Sequence, residues 1–327
     1  MTPLRPILTG LLILTLVLLA APLAVEAQQA RLYRVGVILH GGAYSRAVDG
    51  LRDGLKESGF EEGKQFVFHV RETKGDLKSV EAAARNLEQE KVDLIFAVTT
   101  SVALAANGAT KIVPIVFYAG ADPVAAGLVA SFSKPGGRLT GIYGRFSDLS
   151  PKQLQLLKEM IPAIRRVVTF YSPDNPAARA TIKIVRDATR QLKVELLERP
   201  VASVEELRAG LRALRAGEAD ALVTTDAMVI SQAELVIEAA NAIKLPTMFS
   251  NSDSVAKGAL AGYGVSYYVF GRQLARNVQR ILLGADPGSI PVEQLDRPQF
   301  VINLKTAKAL GLTISQSMLA RADEIIR

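Results

Sequence analysis

Residues 92–124 read VDLIFAVTTSVALAANGATKIVPIVFYAGADPV and contain one complete strand–helix–strand unit. The two short apolar runs, Leu94–Val98 and Val113–Phe117, have the length and β-branched content of fully buried strands. Between them, a helix opens at Thr100 or Ser101. Successive buried strands joined by a helix are typical of a parallel sheet that is covered on both faces.

The same alternation continues on both sides of this unit. Val35–Leu39 and Phe66–Val70 have the pattern of two earlier strands. A second series of strands starts about every 27 residues, at Val167–Phe170, Val194–Leu197, Ala221–Thr224 and Pro246–Phe249. The two series divide near residues 144–149. The sequence therefore predicts an α/β fold with two doubly wound parallel-sheet lobes joined by a hinge.

Several of the predicted helices carry start signals. At Ser150-Pro151 and Asn175-Pro176, a capping side chain stands directly before a proline. At Ser203 and Ser231, the capping side chain is followed three residues later by a glutamate, Glu206 and Glu234. We expect a helix to begin at each of these points.

The first 27 residues have the layout of a secretory signal peptide. Arg5 supplies a positive charge, Ile7–Ala21 is apolar, and Val25-Glu26-Ala27 has small or moderate side chains where a signal peptidase needs them. About 16 residues lie between Arg5 and Pro22, fewer than the roughly 20 that a membrane anchor needs. We therefore expect export to the periplasm with cleavage after Ala27, rather than retention as an anchor.

Composition narrows the class of protein further. The chain has no cysteine, so we expect a soluble mature protein without lipidation. The formal net charge is +7, but basic and acidic residues are interspersed, as in Arg52-Asp53 and Lys56-Glu57. Dispersed charge is typical of solvated helix faces rather than of a surface that binds nucleic acid. We expect no nucleic acid among the partners.

The predicted loops at the two ends of the strands differ in composition. Ligands of open parallel sheets bind beyond the carboxyl ends of the strands. The loops at these ends are rich in hydroxyl, amide, glycine and aspartate groups, in the segments 40–44, 99–101, 118–123, 171–175, 225–226 and 250–253. The loops at the amino ends are dominated by Lys, Arg and Glu. The carboxyl edge is therefore the predicted functional edge.

The carboxyl-edge loops predict a small zwitterion, such as an amino acid, as the ligand. One helix opens at Thr100 or Ser101 and another at Asp122-Pro123, so free backbone N–H groups should bind a carboxylate. The aspartates of the same loops suit an ammonium group, and nearby aromatic residues could form a wall. These acidic and aromatic residues are Asp122, Asp174, Asp226, Asp253, Tyr44, Phe117, Tyr118, Tyr143 and Tyr263. For any one polar residue, helix capping is the alternative role.

Enzyme chemistry has little support in the sequence. His40 and His69 are the two histidines, and the chain has no nucleophile elbow, dinucleotide-binding loop or P-loop. His and Cys clusters that hold a metal are also missing. We expect no cofactor and no metal. Catalysis by a carboxylate pair, Asp122 with Asp226, remains an alternative.

Motifs along the mature chain resemble the ABC transporter substrate-binding protein family, including its tryptophan- and tyrosine-type members, with a type I periplasmic binding fold. The matching stretches are Arg34-Val35-Gly36-Val37, residues 92–95, residues 112–117, Asp122-Pro123-Val124, residues 135–141, residues 301–307 and residues 319–324. The resemblance implies a first lobe of residues 31–145 plus 267–297 and a second of 146–266 plus 298–327. It also implies that the lobes enclose the ligand by hinge closure.

The resemblance and the carboxyl-edge loops together give a predicted ligand site. Its residues are Thr99, Thr100, Ser101, Phe117, Asp122, Asn175, Asp226, Ser250 and Tyr263. Within it, Asp226 is the expected ammonium partner, and Thr100 and Ser101 are expected to hold a carboxylate. The leading hypothesis is a monomeric, non-enzymatic solute-binding component of an ABC importer, with a membrane permease as partner. A sensory binding protein that docks on a receptor is the first alternative, and a carboxylate-dependent enzyme the second.

Overall fold

The computed structural model describes residues 31–144, 146–295 and 297–327. The predicted signal peptide, residues 1–27, lies outside these ranges. None of the helices in the described ranges has the length and apolar character that crossing a bilayer requires.

Six parallel strands, numbered here along the chain, form sheet 1. They lie in the order β11-β5-β4-β3-β1-β2. Their bounds are β1 (Tyr33–Leu39), β2 (Phe66–Glu72), β3 (Leu94–Val98), β4 (Ile115–Ala119), β5 (Leu139–Tyr143) and β11 (Glu293–Gln294). The predicted strand at 113–117 begins two residues later than expected, because Val113 and Pro114 belong to the preceding turn.

Helices cover both faces of sheet 1. Helices α1 (Ser45–Glu57) and α9 (Tyr267–Leu282) share one apolar core with one face of the sheet. Helices α2 (Leu77–Gln89) and α3 (Thr100–Ala109) share a second core with the other face. We call sheet 1 with these four helices the first lobe.

Seven strands form sheet 2, in the order β13-β12-β10-β9-β8-β6-β7. Their bounds are β6 (Arg166–Tyr171), β7 (Glu195–Pro200), β8 (Ala221–Val223), β9 (Thr247–Asn251), β10 (Ala261–Val265), β12 (Gln299–Asn303) and β13 (Glu324–Ile326). All neighbours are parallel except β10 and β12, which pair antiparallel because β12 enters from the opposite end. Two mostly parallel sheets with alternating helices confirm the predicted α/β fold.

Two further cores cover the faces of sheet 2. One contains helices α4 (Phe146–Met160), α5 (Pro176–Gln191), α10 (Leu304–Ala309) and α11 (Gln316–Leu319). The other contains α6 (Val204–Ala213), α7 (Ala227–Ser231) and α8 (Ala233–Ala242). We call sheet 2 with these helices the second lobe.

Within the described part, the chain passes between the lobes at three places, after β5, after β10 and after β11. A carboxylate on the second lobe holds the middle crossing. Asp253 accepts hydrogen bonds from the Tyr267 backbone N–H, at 2.7 Å, and from the Ser266 hydroxyl, at 3.1 Å. Tyr267 is the first residue of α9 and Ser266 is its cap. Asp253 therefore fixes the start of α9 to the end of β9. The residue-level lobe boundaries stay a prediction.

Two of the four predicted helix starts are confirmed. The Asn175 side chain accepts from the Ala177 N–H, and the Ser203 hydroxyl accepts from the Glu206 N–H. At Ser150-Pro151 the prediction is wrong, because α4 already begins at Phe146 and Pro151 lies inside it.

At Ser231 the prediction is also wrong, since this residue ends α7 and its hydroxyl donates to the Met228 carbonyl. The helix expected at Asp122-Pro123 is a series of turns instead.

Candidate functional site

Both sheets reverse their strand order at one point. In sheet 1 this switch lies between β1 and β3, and in sheet 2 between β6 and β8. At such a point the loops that leave neighbouring strands run to opposite faces of the sheet and open a crevice where ligands bind. The loops after β1, β3, β6 and β8 of the two lobes face each other across one cleft.

A cavity of about 70 Å³ lies in this cleft on the side of the lobe crossings. We call it the cleft cavity. From the first lobe it is lined by Tyr44, Thr99, Thr100, Ser101, Tyr118, Gly120 and Ala121. From the second lobe it is lined by Phe146, Ser150, Asn175, Ala177, Ala178, Thr181, Thr224, Thr225, Ala227, Ile230 and Ser250. Hydroxyl groups and small apolar side chains therefore dominate its surface, and no charged side chain is part of the described lining.

The start of helix α3 brings backbone donors to the cleft cavity. Thr99 caps the helix, its hydroxyl accepting from the Val102 N–H at 3.3 Å. The N–H groups of Thr100 and Ser101 lie in the first turn, where a helix supplies no acceptor of its own. The Thr100 hydroxyl accepts from the N–H groups of Gly120 and Ala121, which ties this turn to the loop after β4. The arrangement can bind an anionic group.

Thr99 has an unusual backbone conformation. Its φ is +109° and its ψ is +156°, a region that is essentially restricted to glycine. Among the described residues, the other non-glycine residues with positive φ are lysines between +49° and +56°, in the ordinary left-handed region. Strain of this kind persists only where the surroundings fix the conformation, and it is concentrated at functional sites.

Two residues that line the cleft cavity carry buried hydroxyl groups without a hydrogen-bond partner among the described residues. The Tyr118 side chain is 1% exposed and that of Ser250 is 5% exposed. Neither the Tyr118 hydroxyl nor the Ser250 Oγ has a hydrogen-bond partner among the described residues. An unsatisfied buried hydroxyl costs about 1–3 kcal/mol, so a polar ligand in this cavity would recover energy that the empty protein lacks.

An aromatic cluster forms the floor of the cavity near the crossings. The Tyr44 ring lies 4.6 Å from the Tyr267 ring, and Phe146 meets Tyr118 edge to face at 5.7 Å. Tyr118 also stacks on Phe270 at 3.8 Å. Burial raises the pKa of the Tyr44 hydroxyl above its ordinary value, so this group stays a neutral hydrogen-bonding group.

Asp226 is buried, with 1% exposure, and its carboxylate is engaged with the backbone of its own lobe. It accepts from the N–H groups of Met228, at 2.7 Å, of Val229, at 3.3 Å, and of Ser172, at 3.2 Å. Burial raises its pKa, and these N–H donors oppose the rise. Its neighbours Thr225 and Ala227 line the cleft cavity, whereas Asp226 itself lies behind them.

The structure brings five of the predicted site residues together around the cavity: Thr99, Thr100, Ser101, Asn175 and Ser250. The other four lie outside its lining. Phe117 is fully buried in the core between sheet 1 and helices α2 and α3. Asp122 caps a turn by accepting from the N–H groups of Val124 and Ala125. The Tyr263 ring packs against Phe300 at 6.3 Å.

Several lining residues were not predicted from the sequence. Phe146 and Ser150 come from helix α4, and Thr181 from the second turn of α5. Thr181 could have been predicted as a lining residue from the sequence. It follows the capping residue Asn175 closely enough to lie near the same end of α5. Phe146 was not predicted as a lining residue, because the predicted start of α4, at Ser150-Pro151, lies after it.

A second, larger space of about 940 Å³ lies farther from the crossings, and we call it the outer groove. It is lined by residues 40–43 and 72–78 of the first lobe and by loops and helix starts of the second. His40 is one of its residues, and its Nδ1 lies 3.0 Å from the Thr73 hydroxyl. Burial lowers the pKa of His40 to about 4. Among the described residues, no group of His, Cys, Asp and Glu could hold a metal ion.

Comparisons with a family model and with known proteins indicate the same family. The model of the ABC transporter substrate binding protein family matches residues 34–326. The tyrosine-binding protein of Clostridioides difficile (strain R20291) is 31% identical over 268 residues, which are 82% of this chain and 77% of that protein.

Two solved structures are also similar. The ABC domain from Streptococcus pneumonia in complex with L-Trp is 25% identical, with a TM-score of 0.80 over 90% of this chain and 100% of that one. The ligand-free, open structure of a substrate binding protein with adhesive properties from Clostridium difficile is 27% identical, with a TM-score of 0.60 over 90% of this chain and 99% of that one. The chain belongs to the family of ABC transporter substrate binding proteins.

Proposed function

We propose that this protein is the amino-acid-binding component of an ABC importer, and that it captures its ligand by closure of the two lobes. The observation that carries the proposal is the cleft cavity, where two buried hydroxyls lack partners and the first turn of α3 offers free N–H groups. A ligand with several polar groups satisfies these atoms at once. The relatives that bind tyrosine and L-Trp support an amino acid as that ligand.

The carboxylate of the ligand binds at the first turn of α3. The N–H groups of Thr100 and Ser101 supply the donors there, and the positive end of the helix dipole favours a negative charge. The ammonium group faces the second lobe, where Asp226 lies one layer behind Thr225 and Ala227. A carboxylate has about four acceptor sites and Asp226 uses three, so one remains for an ammonium or for a bridging water.

The position of the cavity between the two lobes supports closure. Residues of both lobes line the cavity, so a ligand bound there contacts both lobes. An amino acid enters this space only when the lobes are farther apart than they are here, and it is enclosed when they return. This protein superposes better on the L-Trp complex than on the ligand-free, open structure, although the two sequence identities are similar. The difference supports a nearly closed arrangement of the lobes.

The proposal includes a place of action and a partner. The signal-peptide pattern of residues 1–27 supports export to the periplasm, and the family supports delivery to a membrane permease. The protein acts as a monomer and turns over no substrate. The cleft cavity has no charged residue in its described lining, which supports binding rather than catalysis at this place.

A thermal-shift screen of residues 28–327 tests the proposal. The panel contains the L-amino acids, their D-isomers, sugars and nucleosides. A ligand present at about a hundred times its dissociation constant stabilises the folded protein by about 2.7 kcal/mol. We expect a raised melting temperature with at least one L-amino acid and none with its D-isomer. A shift with sugars or nucleosides alone would contradict the amino-acid assignment.

The role of Asp226 is tested by two substitutions with different effects on the fold. Asp226→Asn keeps an oxygen that can cap α7 but removes the charge, whereas Asp226→Ala removes both. If Asp226 is the ammonium partner, both variants weaken binding of the amino acid identified in the screen by about 2–5 kcal/mol. Asp226→Ala should lower the melting temperature more than Asp226→Asn, because the asparagine loses only the hydrogen bond from the Ser172 N–H.

Calorimetric titration measures this effect, with Asp286→Asn as the control. Asp286 also caps a short helix but lines neither the cavity nor the groove. An unchanged dissociation constant in Asp226→Asn would reject the ammonium assignment and leave the transport function standing.

A further inference from the structure

Outside the crossings, the two lobes approach each other at a contact between backbones. Gly42 of the first lobe has a φ of +60° and lies against the last residue of α7 in the second lobe. A Cβ atom built on Gly42 would lie 1.8 Å from the Ser231 carbonyl oxygen and 2.8 Å from its carbonyl carbon. Since ordinary contacts between heavy atoms lie at about 3.5 Å, no side chain fits here unless the lobes separate.

A second glycine of the first lobe meets the same helix. A Cβ atom on Gly75 would lie 2.5 Å from the Met228 Cγ and 3.0 Å from its Cβ. This contact involves a flexible side chain that can rotate away, whereas the contact at Gly42 involves backbone atoms that cannot. Gly42 is therefore the position where the distance between the lobes depends on the absence of a side chain.

Helix α7 cannot easily give way at this contact. Asp226 holds its first turn through the N–H groups of Met228 and Val229, and the Ser231 hydroxyl donates to the Met228 carbonyl. The helix also separates the two spaces in the cleft. Its residues Ala227 and Ile230 line the cleft cavity, whereas Met228 and Ser231 line the outer groove.

We propose that the contact of Gly42 with Ser231 is the closing contact between the lobes, so that Gly42 determines ligand affinity without touching the ligand. This inference rests on the proposed closure of the lobes. Any side chain at position 42 holds α7 away from the first lobe, and the wall of the cleft cavity that α7 forms stays out of place. The residue is a positioning residue, and its substitution leaves the cores of both lobes intact.

Cross-linking tests the contact without any ligand. The chain has no cysteine, so the pair Gly75→Cys and Met228→Cys would form the only possible intramolecular disulfide. The built Cβ of Gly75 lies 3.0 Å from the Cβ of Met228, which is shorter than the roughly 3.8 Å of a disulfide, so a small shift brings the two thiols to bonding distance. We expect rapid oxidation of this pair, and slowing by about tenfold or more, equivalent to about 1.4 kcal/mol, when Gly42→Ala is added.

Gly63→Ala is the matched control in the same cysteine background. Gly63 also has a positive φ, +83°, but nothing lies within 4 Å of a Cβ built on it. Both alanine variants therefore carry a similar backbone penalty, and only Gly42→Ala obstructs the contact. Equal oxidation rates in the Gly42→Ala and Gly63→Ala backgrounds would overturn the proposal. So would failure of the cysteine pair to oxidise at all in the otherwise unchanged chain.

Titration with L-tyrosine and L-tryptophan separates this inference from the proposed function. If the unsubstituted protein binds either probe, Gly42→Ala should weaken that binding by about tenfold or more, whereas Gly63→Ala should not change it. Unchanged binding in Gly42→Ala overturns the role of Gly42 in affinity while the transport function stands. If neither probe binds to any variant, the amino-acid assignment fails, and the cross-linking rates still decide whether Gly42 sets the closing contact.

Discussion

At the scale of single residues, Thr99 shows how the site places its backbone donors. Its φ of +109° turns the chain sharply between β3 and α3, and its hydroxyl holds the turn by capping the helix and contacting the Ser101 hydroxyl at 3.2 Å. A β-branched residue in this region carries about 1–3 kcal/mol of strain. The packed strands and the cap maintain the conformation, and the first turn of α3 faces the cleft as a result.

Strain at Thr99 predicts an inverted order of stability for two substitutions. At an ordinary position alanine is more stable than glycine, by about 0.4–1 kcal/mol, because glycine gains more entropy on unfolding. At position 99 we expect Thr99→Gly to be more stable than Thr99→Ala by about 1 kcal/mol, because only glycine relieves the strain. Urea unfolding of the two variants measures this difference. A more stable Thr99→Ala would show that the backbone of Thr99 is not strained in solution.

His40 predicts a dependence of stability on pH. Burial lowers its pKa from 6.5 to about 4, so between these values the unfolded chain binds a proton that the folded protein does not. Stability is therefore complete above pH 6.5 and is lost as the pH falls towards 4, by about 3 kcal/mol in total.

The His40→Gln variant should lose this component of the pH dependence. We expect its free energy of unfolding to fall less between pH 7 and pH 4.5 than that of the unsubstituted protein, as measured with urea. His69 is the control, because it is partly exposed and lies 3.2 Å from Glu90. A His69→Gln variant should keep the full dependence, and parallel curves for all three proteins would contradict the account of His40.

A site residue was predictable from the sequence where its place in the cleft depends only on its position directly after a strand. Thr99, Thr100 and Ser101 follow a buried strand directly, and the end of a parallel strand is where a ligand site forms. The part that Asp226 plays inside its own lobe was not predictable. Whether its carboxylate faces the cleft or caps α7 depends on side-chain rotation and on Ser172, which comes from another loop.

At the scale of elements, the return of helix α9 to the first lobe depends on close packing against α1. Three glycines allow the backbones to approach. A Cβ on Gly50 would lie 1.9 Å from the Tyr268 carbonyl oxygen, one on Gly271 would lie 2.0 Å from that of Ala47, and one on Gly54 2.5 Å from that of Arg272. Because α9 begins at a lobe crossing, this packing anchors the crossing to the first lobe.

Close packing of α9 predicts that Gly271→Ala destabilises the protein although alanine is the better helix former. The intrinsic gain is about 1 kcal/mol, whereas forcing the helices apart costs about 1–3 kcal/mol or more. Gly108→Ala is the control, since Gly108 lies in α3 with nothing within 4 Å of a built Cβ. We expect urea unfolding to show a loss for Gly271→Ala and no loss for Gly108→Ala. Stabilisation by both would contradict the close approach.

The elements also show why some helix starts were mispredicted. A capping residue before a proline predicts a start correctly at Asn175-Pro176, where the chain leaves a strand through a turn. At Ser150-Pro151 the same pattern lies in the second turn of α4, because contacts near the crossing start the helix at Phe146. Local sequence gives the preference, but packing against the rest of the lobe decides where the helix begins.

At the scale of the whole molecule, the two lobes repeat one design. Each sheet has its switch point beside its first strand, and the cleft joins the two switch points. Strand–helix alternation in the sequence was sufficient to predict this architecture. It did not predict the strands near the crossings, which depend on contacts between distant parts of the chain: β5, β10 and β11, which precede crossings, β12, which follows one, and β13, which pairs with β12.

Calorimetric titration of residues 28–327 with L-tyrosine and L-tryptophan, repeated on Tyr118→Phe, tests most directly whether an amino acid occupies the cleft cavity. We predict one site per chain for at least one of them, and binding about 1 kcal/mol weaker in Tyr118→Phe, which lacks the unpartnered hydroxyl. The unliganded variant should be no less stable than the unsubstituted protein. Saturable binding that Tyr118→Phe leaves unchanged, or no binding of either amino acid, would contradict the proposed site.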